Sequence, residues 1–283
     1  MAGNEQPRES LATGFRNVDT TGDTATFHRC LDLIAGIPFF RQVKEDSIRI
    51  IAAGSPHRVL DAGCGAGGDL PGLVTAVHGV GEVVGLDASS ALLGQASART
   101  SGIRDQCGLA RGDILALPFR DRTFGACRID RVLQHISDPG RAVEELARVL
   151  LPDGVLVAFD NDWDTFFMDL DDPETAGRIN RSWRNSFASG RVGRDLGRIF
   201  DRAGLTGISV EPRQLVLTDY PLAGQIFDLT HLIDRMVRSK VMTAGEAAAA
   251  VEEMRQRAGN GTFRAGYTGY LVWGIKENGA SGR

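Results

Sequence analysis

The residues of this chain that could do chemistry are acids and glycines placed after short apolar runs. Val59-Leu60-Asp61 leads into Gly63, Gly65, Gly67 and Gly68, and Asp69 closes the stretch V-L-D-A-G-C-G-A-G-G-D. A strand that breaks into glycines and reopens as a helix leaves unpaired N–H groups aimed at one spot, and the missing side chains let a polar ligand reach the backbone. Gly63, Gly65 and Gly68 also satisfy G-x-G-x-x-G, so the glycines alone fit a dinucleotide equally well. Asp61, inside the turn, would repel a pyrophosphate and suits an ammonium group. Asp87 ends the next apolar run, Val83-Val84-Gly85-Leu86, a position from which a carboxylate meets ribose hydroxyls. A third acid, Asp113, follows another short run in A-R-G-D-I-L-A-L-P-F.

The elements that must position these residues alternate. Strands are expected at 58–61, 83–87, 108–111, 124–130 and 154–160, with helices at about 69–78, 89–100 and 138–151 between them. Ser89-Ser90 caps the second of these helices, and Pro139 and Pro152 bracket the third. Such alternation implies an α/β fold, a parallel sheet with helices on both faces. Two helices are expected ahead of the first strand, at 24–35 and 39–53, and residues 1 to about 20 read as a flexible polar arm. After Asp160 the pattern loosens. Seven acids between 160 and 174 and seven arginines between 178 and 202 read as two charged faces that pair with each other. A helix at 193–203 and a strand at 208–217 follow. Helices at 223–238 and 244–257 then precede a last strand at 269–276. The divisions are an arm with lid helices (1–57), a core (58–218), a helical cap insertion (219–265) and a closing strand with its tail (266–283).

The ordered set D-x-G-x-G-x-G, V-V-G-L-D and G-D-I-L-A-L-P-F resembles the class I S-adenosylmethionine (SAM) dependent methyltransferases, in their small-molecule, quinone-type and natural-product branch. R-V-L-L-P-D-G resembles the turn before that family's fifth strand, with Asp153 in place of a glycine. The resemblance implies a Rossmann-like, mostly parallel seven-stranded sheet whose last strand is antiparallel, with SAM as cofactor and S-adenosylhomocysteine as product. By the same resemblance Asp87 accepts from the ribose, and Asp61 with the carbonyls of the loop faces the ammonium. Gly63, Cys64 and Gly65 let the methionine arm approach. Asp113 accepts from the adenine amino group while Ala88, Gly112 and Ile114 line the ring. Arg29, Lys44 and Arg131 are the donors for the cofactor carboxylate, with Arg131, just past the fourth strand, best placed.

Methyl transfer is an in-line displacement, so alignment is the main task of the protein. A hydroxyl acceptor also needs its proton removed, and histidine, with an ordinary pKa of about 6.5, is suited to that. His135, in R-V-L-Q-H-I-S-D-P, and His28, on a lid helix, are the candidate bases. The resemblance makes Phe15, His28, Phe39 and Phe40 lid residues. Asp160, Trp163 and Phe166, at the end of the fifth strand, are expected to face the acceptor. Asp130, Asp160 and Asn161 could be laid onto the magnesium site of catechol O-methyltransferases. The lid helices and the His135 motif instead resemble metal-independent members, so no metal is expected.

The totals restrict the alternatives. A chain of 283 residues with formal charge −4 and no run of eighteen apolar residues is expected to be a soluble, cytoplasmic, small-molecule protein, a monomer or homodimer, with no broad affinity for nucleic acid or membrane. Its four cysteines, Cys30, Cys64, Cys107 and Cys127, lie far apart and read as reduced structural thiols. Three rival readings remain: a nicotinamide oxidoreductase, a methyltransferase-fold protein of secondary metabolism that keeps SAM but catalyses a cyclisation, and a non-catalytic binding module. The first leaves Asp61 and Asp113 without a purpose.

Overall fold

A computed structural model describes Gly14 and residues 18–20, 24–77 and 81–278; for residues 24–26 and for His28 it describes the backbone alone. Seven strands form one sheet in the order β3-β2-β1-β4-β5-β7-β6. They are β1 (Arg58–Ala62), β2 (Glu82–Asp87), β3 (Cys107–Arg111), β4 (Phe124–Asp130), β5 (Leu150–Met168), β6 (Leu205–Leu217) and β7 (Ala265–Lys276). Strands β1 to β5 pair in parallel, and β7 inserts antiparallel to both β5 and β6. This is the Rossmann-like sheet with one reversed strand.

Between the strands lie α1 (Thr24–Gly36), α2 (Pro38–Ala53), α3 (Leu70–Ala76), α4 (Ser90–Arg99), α5 (Pro139–Val149), α6 (Pro173–Arg184) and α7 (Val192–Arg202). The cap holds α8 (Tyr220–Ile226), α9 (Leu229–Arg238) and α10 (Ala244–Gly259). Strand alternation separates two cores. Val59, Val83, Ala126 and Val157 meet α2, α3 and the cap on one face, while Leu60, Val84, Cys127 and Leu156 meet α5 and α7 on the other. Helix starts follow ordinary capping. Ser89 Oγ accepts from Leu92 N at 3.1 Å, Asp138 accepts from Arg141 N at 2.9 Å, and Thr243 with Glu246 forms a capping box.

Several expectations are corrected. Strand β5 runs on to Met168, eight residues past its expected end at 160, because β7 continues to pair with Phe167 and Met168 beyond an irregularity. Helix α6 lies in the charged segment that gave no apolar period over its whole length; Ile179 and Trp183, four apart, supply its buried edge. The expected 223–238 helix is two, divided at Asp228, whose φ of 45° breaks the helical run. The acids and arginines do pair: Asp164 meets Arg184 and Arg191 at 3.0 and 3.1 Å, and the fully buried Asp162 meets Arg194. Within the stretch expected to be a loose arm, Val18–Thr20 forms a docked helical turn. Asp19 there accepts from Ser90 N at 2.8 Å and Ala91 N at 3.2 Å, a negative charge at the amino end of α4. The Ser89 hydroxyl, also bonded to it, holds the Asp19 carboxyl below its ordinary range. No helix among the described residues is long and apolar enough to cross a membrane.

The sheet also contains a buried charge cluster. Arg128 of β4, 3 % exposed, donates to Asp61 of β1 at 2.9 Å, to Asp130 at 2.8 Å and to Ser47 of α2 at 3.0 Å, and lies 3.0 Å from Asp69 at the start of α3. Removing it would leave carboxylates buried without their shared cation. Arg128→Leu is therefore expected to lose about 3–5 kcal/mol of stability in urea unfolding, measured without ligand. A loss below about 1 kcal/mol would mean that the cluster is solvated in solution.

Candidate active site

The strand order reverses between β1 and β4, and a cleft of about 670 Å³ opens at their carboxyl ends. Gly63 and Gly65 form one wall, Asp87 and Ala88 the floor, Gly112 to Leu115 one end, and Arg131 to Ser137 the other; Leu31 and Ile34 of α1 cover it. Gly63 has φ of 77°, and a Cβ there would stand 2.3 Å from Val132 Cγ2, so the turn requires glycine. Gly63 N and Cys64 N both donate to Leu86 O, at 2.7 and 2.9 Å, which fastens the turn to β2.

Asp87 is fixed by two backbone donors, Gly65 N to Oδ2 at 2.8 Å and Ser89 N to Oδ1 at 2.9 Å. Burial raises its pKa, and these N–H groups oppose the rise. A carboxylate offers about four acceptor positions, so capacity remains for two hydroxyls. Asp113 accepts from Leu115 N at 2.9 Å through one oxygen, and Ile114 is buried against the cleft wall. Ala88 and Gly112 lie between the two acids. Asp87, Ala88, Gly112, Asp113 and Ile114 all line the cleft.

Other expected site residues are placed elsewhere. Asp61 is 3 % exposed and bonded to Arg128 on the sheet face toward α2 and α3, so it does not line the cleft. Burial outweighs the guanidinium and, with Asp69 and Asp130 adding repulsion, lifts its pKa to about 6. Lys44 is engaged by Asp69 at 2.7 Å, and Arg29 is exposed on α1. The Cys64 thiol turns beneath the loop toward Gly85 of β2, and burial pushes its pKa up. Phe40 is buried under the Arg131 guanidinium, 4.8 Å from ring centroid to Cζ. Phe15 and the side chain of His28 lie outside the described residues. Arg131 does line the cleft, with Nε bonded to Asp130 at 2.8 Å.

His135 lies on the cleft wall, next to Phe187 at 5.6 Å between ring centroids, and is organised by Gln134. Gln134 Oε1 accepts from Trp163 Nε1 at 2.8 Å and Asn161 Nδ2 at 3.1 Å. An indole nitrogen only donates, so the amide orientation is set, and Gln134 Nε2 faces Arg131 O at 3.1 Å and His135 Nε2 at 3.3 Å. That assigns the His135 Nε2 lone pair to the Gln134 N–H, which engages the imidazole as a bracket of the wall and takes up the lone pair a general base would use. Asp160 stands behind, its Oδ2 accepting from Gln134 N at 3.1 Å and its Oδ1 from Asn161 N at 2.8 Å. Burial raises it to about 7. Trp163 and Phe166, expected on the acceptor wall, are core residues packed with Trp183, Phe227 and Tyr267. Neither lines the cleft. Asp130, the first acid of the weighed magnesium set, is held by Arg128 and Arg131 and lies well below the ordinary carboxylate range.

Sequence reasoning missed Arg128, Gln134, Leu31, Ile34 and Asp19. An arginine inside the apolar strand F-G-A-C-R-I-D was a legible signal, since a buried cation requires partners; Asp19 and the lid leucine had none.

The fold and cleft define a class of Rossmann-like enzyme that holds a nucleoside-bearing cofactor at the ends of β1, β2 and β4. A family model described as a methyltransferase domain matches residues 60–158. An uncharacterised 37.1 kDa protein in transposon TN4556 of Streptomyces fradiae is 33 % identical over 243 residues, 86 % of this chain and 69 % of that one. Demethylmenaquinone methyltransferase of Bacillus cytotoxicus is 29 % identical over 186 residues, 60 % of this chain and 78 % of that one. The crystal structure of the 4+2 cyclase SpnF superposes with a TM-score of 0.57 at 18 % identity, over 96 % of this chain and 99 % of that one, a likeness of fold. The chain belongs to the class I SAM-dependent methyltransferases and is an enzyme of that family. The cleft fits SAM: Asp87 has acceptor capacity for paired ribose hydroxyls, Asp113 for an amino group, and the glycine turn admits the methionine arm.

Two outcomes are expected. Asp87→Ala weakens SAM binding tenfold or more by calorimetry, about 1.4 kcal/mol for a charged hydrogen bond; unchanged affinity would remove Asp87 from the site. The second concerns pH. Asp61 and Asp160 have folded pKa values of about 6 and 7, above the unfolded carboxyl value of about 3.9, so the folded state binds more protons in between. Stability therefore falls as pH rises from about 4 to 7, by an amount on the order of 4 kcal/mol between pH 5 and 8. Equal urea midpoints at the two pH values would contradict it.

Proposed function

We propose that the protein methylates a small, largely hydrophobic metabolite of aromatic or quinone type. One observation carries this reading: the cleft combines an apolar surface, Leu31, Ile34, Val132 and Ile136, with the largely covered guanidinium of Arg131, 14 % exposed. Such a surface suits a flat apolar body bearing one polar group. The likeness to a demethylmenaquinone methyltransferase supports the same class of acceptor.

Bound SAM supplies an electrophilic methyl on sulfur: the acceptor's lone pair forms the new bond to carbon while the C–S pair leaves with S-adenosylhomocysteine. The chain's own contribution is placement. Asp87 and Asp113 fix the nucleoside, the glycine turn brings the sulfur end beside Arg131, and Leu31 and Ile34 close the cleft over it. Water exclusion and alignment can supply several kcal/mol toward such a displacement. Gln134 keeps His135 in one orientation on the wall, so the reading needs no histidine base.

Methyl-labelled SAM incubated with the protein and a panel of phenols, hydroquinones and apolar amines tests the reading. Label in an extractable product, with S-adenosylhomocysteine formed in equal amount, is the expected result. Tight SAM binding with no transfer to any acceptor while another small molecule is cyclised would favour a SAM-holding cyclase instead.

A further inference from the structure

Asp87 is held through both of its oxygens, Oδ2 by Gly65 N of the glycine turn and Oδ1 by Ser89 N at the cap of α4. The amino-terminal segment touches both holders. Asp19, 70 residues ahead of Ser89, accepts from the Ser89 hydroxyl and from Ala91 N at 3.2 Å through Oδ1, and from Ser90 N at 2.8 Å through Oδ2. Ser89 Oγ already accepts from Leu92 N, so its proton is directed to Asp19. Ser89 thus joins Asp19, through its side chain, to Asp87, through its N–H.

Helix α4 does not need Asp19 in order to begin. Ser89 is an ordinary cap, with extended backbone and its Oγ on Leu92 N, and a helix start requires no more. Asp19 instead satisfies Ser90 N and Ala91 N, first-turn donors that the local cap leaves over, and sets a negative charge at the positive end of the helix. Ordering a segment so distant in sequence costs conformational entropy, which the contacts holding it must offset.

The other holder of Asp87 is met from the same side. Val18 and Phe27 pack with Ala66 of the glycine turn and Leu92 of α4, with Leu31 against them, in a small apolar cluster separate from the two main cores. Arg99, in the last turn of α4, donates to Ala66 O at 3.2 Å and to Asp32 of α1 at 3.1 Å. Leu31, Gly65, Asp87 and Leu92 line the cleft, and so does Arg111, whose guanidinium lies 4.0 Å from Asp19. The Val18–Thr20 turn and α1 therefore brace the glycine turn and α4 at the rim of the cleft, with Asp87 bonded to both.

We propose that Asp19 is a positioning residue for the cofactor: acting through Ser89, its carboxylate holds Asp87 in the geometry that receives the ribose hydroxyls, so that docking of the amino-terminal turn and retention of the cofactor are linked. The proposal rests on the methyltransferase reading, with Asp87 as the ribose acid. Such linkage is reciprocal. Whatever the docked turn contributes to cofactor affinity, bound cofactor returns to the docking of the turn.

The test is a double-mutant cycle on the full-length protein, read as calorimetric affinity for S-adenosylhomocysteine and as its dissociation rate by surface plasmon resonance. Asp19→Ala is expected to weaken binding about fivefold or more, the lower end of coupling between linked sites, mainly through faster dissociation. In an Asp87→Ala background, or Asp87→Asn where affinity is too low to measure, the same substitution is expected to change affinity by less than about twofold, because its route to the ribose is already cut. Asp19→Asn, which keeps an acceptor oxygen for the helix N–H groups, is expected to fall between Asp19→Ala and wild type. Wild-type affinity in Asp19→Ala overturns the proposal. An equal loss in both backgrounds also overturns it, since a contact that only stabilises the fold would act without regard to Asp87. Unchanged affinity in the Asp87 variant alone does the same. Should Asp19→Ala not fold, a wild-type dissociation rate in Asp19→Asn overturns it. Failure of wild-type protein to bind S-adenosylhomocysteine at all would remove the underlying reading, a result distinct from these.

Discussion

The site depends on one buried guanidinium. Arg128 projects from the middle strand of the sheet and gathers Asp61, Asp69 and Asp130 from β1, the start of α3 and the end of β4, while Ser47 and Lys44 bring in α2. Each of those acids flanks the glycine turn or the cleft wall. The turn, the helix it opens and the wall opposite are therefore tied to the same cation. Desolvating so many charges is costly, and such clusters contribute little net stability. Their consequence here is geometric: the two sides of the cleft cannot separate without exposing or orphaning a charge.

Around that anchor the cleft divides by chemistry. At one end, acids with unfilled acceptor positions, Asp87 and Asp113, follow β2 and β3. At the other end, Arg131 supplies donors against an apolar roof, and behind it a hydrogen-bonded layer of Gln134, Asn161 and Asp160 rests on the aromatic core. The helical turn Val18–Thr20 docks beside the end that holds Asp87, where Asp19 bonds the first N–H groups of α4 and Val18 packs with Phe27, Ala66 and Leu92. Lid and cofactor site thus share contacts at both the glycine turn and α4.

Much of this was legible in the sequence. The glycine spacing, Asp87 and Asp113 picked out residues that line one cleft, because backbone conformation and a carboxylate at a strand end are local properties. The alternation of strands and helices gave the parallel part of the sheet for the same reason, while its reversed last strand was implied by the family resemblance. What failed was long-range pairing. Asp61 and Lys44 looked available for a ligand, and each is occupied by a residue 67 or 25 positions away. Trp163 and Phe166 looked like a substrate wall, but the extension of β5 through Met168 and the unforeseen helix α6 bury them. Arg128 was visible as an arginine among apolar residues, and its partners were not.

Calorimetric titration of the purified protein with S-adenosylhomocysteine and with NADH, both in the presence of EDTA, tests most directly whether this cleft is a SAM site. The acids and glycine turn described above require binding of S-adenosylhomocysteine and none of NADH. Binding of NADH alone would show that the turn receives a pyrophosphate, and would contradict the roles assigned to Asp87, Asp113 and Arg131.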